Sequence, residues 1–170
     1  MSDTVGKHIE IERKYLIKIP DMAVLKSQPN YNASFIEQMY ISSDSSGTFK
    51  GDRIRKRVYP NETKYYKTHK EYISGLSKIE IEDEITEEEY GKLSERILPD
   101  SRAIRKVRHC FDFEGQVVEL DIYEFWSDKA TAEVEIESEK QAVTLPGFIE
   151  IIADVTGDKS YSNYSLSLNT

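Results

Sequence analysis

At 170 residues the chain is long enough for one domain with a full core and short for two, so a single domain spanning 1–170 is expected. With 38% hydrophobic and 32% charged residues it does not read as disordered, and no apolar run approaches the roughly 18 residues of a helical membrane span. A net charge of −8 excludes a generic nucleic-acid surface but leaves room for a local basic pocket. The lone cysteine, Cys110, excludes an internal disulfide, no Cys/His spacing suggests zinc, and the opening MSDTVGKHIE has no apolar h-region, so a cytoplasmic protein is expected.

The first predicted element is HIEIERKYLIKI (8–19). His8, Glu10, Glu12 and Lys14 alternate with the mainly apolar set Ile9, Ile11, Tyr15, Ile17 and Ile19, the period of a strand. MAVLKSQ (22–28) reads as a short helix. Alternation returns in SFIEQMYIS (34–42), GDRIRKRVY (51–59), TKYYKTHK (63–70) and SKIEIEDEI (77–85). TEEEYGKLSERIL (86–98) is a helix, with Thr86 and Glu89 as a capping box and an apolar stripe of Tyr90, Leu93 and Ile97. Strands follow in AIRKVRHCFDF (103–113), QVVELDIYEF (116–125) and TAEVEIES (131–138), with FEGQ (113–116) as a tight turn between the first two. LPGFIEIIADVTG (145–157) reads as a last helix that starts near Pro146, buries Phe148, Ile151, Ile152 and Val155, and stops at Gly157.

About eight strands at hairpin-like spacing suggest an antiparallel sheet or barrel. One parity of each strand collects the charges: Glu10, Glu12 and Lys14; Arg53, Arg55 and Arg57; Lys64, Tyr66, Thr68 and Lys70; Lys78, Glu80, Glu82 and Glu84; Lys106 and Arg108; Glu119 and Asp121; Glu133, Glu135 and Glu137. The opposite parity supplies much of the apolar set, Ile9, Ile11, Ile54, Val58, Ile79, Ile81, Val107, Val118, Leu120, Ile122, Val134 and Ile136. An antiparallel strand often turns a polar face to water. Here the predicted helices have apolar stripes that must lie on an apolar sheet face. With helices outside and the sheet curled closed, the charges point into a lumen that has room for side chains or one small ligand. Buried charges need partners. Arg and Lys grip phosphate oxygens, and carboxylates hold Mg²⁺ or Mn²⁺ bridged to the same phosphates. Lys14, Arg53, Arg55, Lys70, Lys106 and Arg108 suit a polyphosphate carrying roughly four to five negative charges.

EIERK (10–14) resembles the ExExK signature of the CYTH domain, the triphosphate tunnel metalloenzyme family. RIR (53–55), Lys70, GLSKIEIE (75–82), KVR (106–108), ELDIY (119–123), AEVEIE (132–137) and VTGDKSYSN (155–163) follow in that family's order, so the resemblance covers nearly the whole chain. It implies a mostly β, α+β fold: a closed eight-stranded antiparallel barrel, the triphosphate tunnel, with flanking helices. It also implies a divalent-metal-dependent hydrolase of a triphosphate-containing substrate, as in the bacterial inorganic tripolyphosphatases, with two-metal attack of water on a terminal phosphorus. By the same resemblance Glu10, Glu12 and Lys14 are catalytic. Glu10, Glu12, Glu133 and Glu135 hold Mg²⁺ or Mn²⁺, and Lys14, Arg53, Arg55, Lys70, Lys106, Arg108 and Lys159 bind substrate. Glu80, Glu82, Glu119 and Asp121 are supporting acids. Lys78 departs from the pattern, standing where the family tends to carry Arg; this keeps the charge and loses the planar fork. Alternatives are an adenylate cyclase making cAMP from ATP, and a non-catalytic polyphosphate- or nucleotide-binding module. The expected partner is a triphosphate-bearing small molecule, without a membrane, and with a homodimer as a possible assembly.

Overall fold

The computed structural model describes residues 7–42, 52–74 and 77–168, with side chains described over 11–42, 52–69 and 79–168. β1 (Lys7–Lys18) leads into α1 (Met22–Lys26), which Asp21 caps by accepting from the backbone N–H groups of Ala23 and Val24. Four strands follow, β2 (Asn32–Ile41), β3 (Asp52–Val58), β4 (Thr63–Ser74) and β5 (Ser77–Ile85). After α2 (Glu87–Ser94) come β6 (Ile104–Phe113), β7 (Gln116–Tyr123), β8 (Lys129–Glu135) and β9 (Ile151–Asp154). A 3₁₀ turn at Lys159–Tyr161 precedes α3 (Asn163–Leu168).

All pairings are antiparallel, in the order β5-β4-β3-β2-β6-β7-β8-β1-β9. The mostly β class with few helices therefore matches the sequence reading. The closed eight-stranded barrel is corrected. Among the described residues the sheet has nine strands, and its order ends on β5 and β9. β1 gives one edge to β8, from Glu12 opposite Glu135 to Lys18 opposite Lys129. Its other edge is divided: β5 takes the first part, Lys7 opposite Ile81 to Ile11 opposite Ser77, and β9 takes Tyr15 to Ile17. A simple closed barrel would give that whole edge to β5. The sheet curls until β5 meets β1, then ends on β9.

The alternation decides what each face buries. Outside, Ile17, Phe111, Val118, Leu120, Ala130, Ala132, Val134 and Ile136 form the main core, covered by Leu25 of α1 and by Ile149. A second apolar cluster joins Ile41 and Ile54 to Tyr90 of α2. Thr86 accepts from the Glu89 backbone N–H at 3.1 Å, so the helix start predicted from the capping box is present. Thr86→Ala is expected to lower stability by about 1 kcal/mol, read as a lower thermal midpoint. The turn after β6 places Glu114 and Gly115 at φ 51° and 76°, the left-handed pair that a two-residue hairpin needs.

The predicted helix over 145–157 is also corrected. Residues 151–154 form β9, and Ile151 and Ile152 are 47% and 48% exposed. The spacing of Phe148, Ile151, Ile152 and Val155 imitates a helical stripe. The free edge of β1 offers backbone partners to an adjacent β-branched pair, and that pairing wins. Among the described residues no helix is long and apolar enough to cross a membrane.

Candidate functional site

The concave face carries the charges, and the register lines them up. Gln38 of β2 faces Arg55 of β3, and Arg55 faces Tyr66 of β4. Lys106 faces Tyr123, Arg108 faces Asp121, and Lys14 faces Glu133. These are buried side chains: Lys106 is 1% exposed, Asp121 0%, and Lys14, Arg53, Arg108, Glu80 and Glu133 all lie below 9%. Ionised groups persist at such depth only when paired.

Asp121 does most of that pairing. It accepts from Arg108 Nε at 2.8 Å and Nη2 at 2.9 Å, and from Lys106 Nζ at 2.8 Å. Burial, the largest single influence, would raise its pKa, but Arg108 and Lys106 together hold the carboxyl far below the usual carboxylate range. Arg108 Nη1 reaches Glu119 at 2.6 Å, so that guanidinium is committed to protein carboxylates on two sides. Lys14 lies 3.3 Å from Glu133 and donates to the Tyr161 carbonyl at 2.7 Å. Its backbone is clasped by Thr156, whose hydroxyl accepts from the Lys14 N–H at 2.9 Å and donates to the Lys14 carbonyl at 3.2 Å. Burial opposes ionisation of Glu133, yet Lys14 and Arg108 bring it down to about 2.

The β3 arginines are differently placed. Arg53 has Glu80 only at 4.0 Å. Arg55 donates to the neutral Gln38 Oε1 at 3.3 Å. Burial, then Arg53 and Arg108, all act against the Arg55 charge, with Glu82 only partly offsetting them. Burial likewise lowers Lys106 to about 7, with Arg108 and Arg55 adding to the effect against Asp121. Among the described residues, Arg53 and Arg55 thus have no carboxylate closer than 4.0 Å.

No family model matches the chain, and no curated protein does. Solved structures do. The inorganic triphosphatase NE1496 matches with a TM-score of 0.57 and 28% identity, over 94% of each chain. The PH1819 protein from Pyrococcus horikoshii OT3 has a TM-score of 0.56 at 20% identity, over 76% of this chain and 80% of its own. A candidate adenylate cyclase from Bacillus halodurans gives 0.52 at 18%, over 79% and 84%. The last two speak for the fold alone. The neighbours agree with the CYTH, or triphosphate tunnel, family.

Against the CYTH pattern, most of the expected residues meet on one face. Lys14, Arg53, Arg55, Lys106, Arg108, Glu80, Asp121 and Glu133 are buried or half-buried there, with Glu12, Glu82 and Glu119 beside them. Glu135 is exposed, in register with Glu12. The side chains of Glu10 and Lys70 lie outside the described residues; their backbones pair with Lys78 and Glu80. Lys159 is exposed on the 3₁₀ turn rather than within the face. Its helical neighbours take the inward position instead. Asn163 Oδ1 accepts from Tyr123 at 2.8 Å and from Lys106 at 3.4 Å, and Leu166 packs on Ile104 and Tyr123. Parity arguments fail on this segment because it is not a strand. His69 faces away from the charges and pairs with Asp52 at 2.8 Å, a structural role. Trp126 packs edge-on against Tyr123 and Phe125.

Sequence reasoning missed two neutral members of the face, Ser34 and Gln38. Ser34 accepts from Arg57 Nε at 2.8 Å. The parity of β2 could have found Ser34 and Gln38, since they alternate with Phe35 and Met39 and share the register of the basic strand.

Proposed function

We propose that this chain is a divalent-metal-dependent hydrolase of a triphosphate-containing substrate, with inorganic tripolyphosphate as the leading candidate. The observation that carries the reading is the pair Arg53 and Arg55 on the concave face, which among the described residues have no carboxylate closer than 4.0 Å. A polyanion supplies the missing charge. The triphosphatase NE1496, over 94% of both chains, supports the same class.

The metal is tested by the donor set. Among the described residues no three metal-capable side chains converge. Yet Glu12 of β1 stands in register with Glu135 of β8, with Glu133 two residues along the same strand, so carboxylate oxygens, the donors a hard divalent cation takes, are carried on adjacent strands. Mg²⁺ commonly takes one or two protein carboxylates and fills its shell with water and phosphate oxygens. The residues therefore fit an ion shared with the substrate, with Glu12, Glu133 and Glu135, and Glu10 by resemblance, as its protein donors. When bound, Mg²⁺ or Mn²⁺ would neutralise phosphoryl oxygens and make water at the site more acidic.

The chain's own residues do the rest. Arg53, Arg55 and Lys106 orient the phosphates and compensate the charge that develops as the bond from the terminal phosphorus to its bridging oxygen breaks. Water forms the new P–O bond, the bridging oxygen keeps the electron pair, and pyrophosphate leaves. A carboxylate among Glu10, Glu12, Glu133 and Glu135 takes the water proton, and Glu12, half-buried beside the cations, is the one to test first. Glu12→Ala is expected to cut tripolyphosphate turnover with Mg²⁺ or Mn²⁺ by at least about 100-fold, measured as phosphate release. Turnover equal to the parent would remove Glu12 from the mechanism. Assaying cAMP from ATP in parallel tests the cyclase alternative.

The Lys106 value gives a pH prediction. Its ammonium binds an anion and its neutral amine does not, so its contribution is full below about 7 and is lost as pH rises above that. Tripolyphosphate affinity of the parent relative to Lys106→Met should fall with increasing pH between 6.5 and 9, by up to about tenfold per unit. The ionisation of the ligand cancels in that ratio. A flat ratio would exclude Lys106 as the titrating group.

A further inference from the structure

We infer that Gln38 is a substrate-binding residue whose side-chain amide donates to a phosphoryl oxygen held between Arg53 and Arg55. The inference rests on the reading of the concave face as a triphosphate site and adds a neutral member to it.

Gln38 is 0% exposed, opposite Arg55 on one side and Ile104 on the other. Its Oε1 accepts from Arg55 Nη2 at 3.3 Å. That contact fixes which way the amide lies, because the flipped amide would set NH₂ against guanidinium N–H, donor against donor. Nε2 is therefore the amide group left over, and it has no hydrogen-bond partner among the described residues. Arg53 Nε and Arg55 Nε are in the same condition. Three buried donors on two adjacent strands thus lack an acceptor among the described residues. Each such orphan costs about 1–3 kcal/mol, so a cluster of them implies a ligand rather than packing.

The chemistry of the three donors restricts what fits. A group that only accepts, the ionised oxygen of a phosphoryl group, satisfies all of them. A hydroxyl or amine brings donors of its own. A neutral amide here also adds a hydrogen bond without adding a further cation beside Arg53, Arg55 and Arg108, which already oppose one another.

The experiment is calorimetric binding of inorganic tripolyphosphate without metal, with ligand-free thermal melts, for the parent, Gln38→Met and Gln38→Glu. Gln38→Met should weaken binding by about tenfold, the loss of one hydrogen bond to an anion, while the ligand-free midpoint stays level or rises because an unpaired amide has gone. Gln38→Glu, nearly the same shape, should lose more than Gln38→Met, since its carboxylate pairs with Arg55 and repels phosphate. If Gln38→Met does not fold, Gln38→Glu decides alone. Parent-like affinity in the folded variants, with or without a lower melting point, would overturn the inference and leave the proposed function standing. A parent that does not bind tripolyphosphate would overturn both.

Discussion

Asp121→Asn is expected to cost about 3–5 kcal/mol of stability, the penalty for leaving a buried charge unpaired. Asp121 is fully buried and is the shared acceptor for Lys106 and Arg108. The amide keeps the shape and removes the charge, so two buried cations face each other across a neutral group, and one of the amide's positions is itself a donor. For a chain of this size the thermal midpoint should fall by roughly 6–20 °C. Lys106→Met should cost less, because Asp121 keeps its two-point contact with Arg108. In the double variant the losses should not add, since removing Lys106 relieves part of the strain that Asp121→Asn creates. Thermal melts of the two single variants and the double variant test all three statements. An Asp121→Asn midpoint within 2 °C of the parent would mean the triad does not hold the face together. The depressed Asp121 carboxyl also fixes a pH direction. Its stabilisation is full above the ordinary carboxylate range and is lost progressively as pH falls from that range towards its own much lower value, so acid milder than that range should spare it.

Arg55→Met should have the opposite signature. Tripolyphosphate affinity should drop by about 10–150-fold, the loss of a charge-assisted contact worth about 1.5–3 kcal/mol. The ligand-free protein should melt at the same temperature or higher, because Arg55 has an unpaired Nε and is opposed by burial, Arg53 and Arg108. A residue that destabilises the free protein and strengthens binding is spending fold stability on its ligand. Isothermal titration and thermal melts decide it. Affinity unchanged, or a clear loss of ligand-free stability, would reassign Arg55 to the structure and weaken the triphosphate reading with it.

Much of this was legible before any coordinates. Alternation in 8–19, 51–59 and 131–138, broken at Arg13, Leu16, Asp52 and Lys56, separates most charged from most apolar positions, and the apolar stripe around Tyr90 requires a sheet face to lie on. What sequence spacing could not distinguish was a short strand from a helix at 145–157, where Ile151 and Ile152 satisfy either period. It also could not see that the last segment reaches the site through Asn163 and the Tyr161 carbonyl rather than through Lys159. Those contacts depend on a long-range approach: Lys14 and Tyr161 are far apart in the chain. Gln38 was overlooked for a related reason. A neutral amide has no chemistry of its own in a sequence and becomes informative only when its neighbours leave it a donor without an acceptor.

The sequence by itself determined which side chains share a face, because that follows from the two-residue period of an extended backbone and needs no knowledge of the partner strand. Tertiary structure alone decided how the sheet ends and which charges neutralise each other. The edge of β1 is divided between β5 and β9, and Arg108 closes on Asp121 and Glu119 while Arg53 and Arg55 keep donors in reserve. Both outcomes depend on register and curvature, which are set by competition among distant strands for the same backbone groups, and a local pattern does not record that competition.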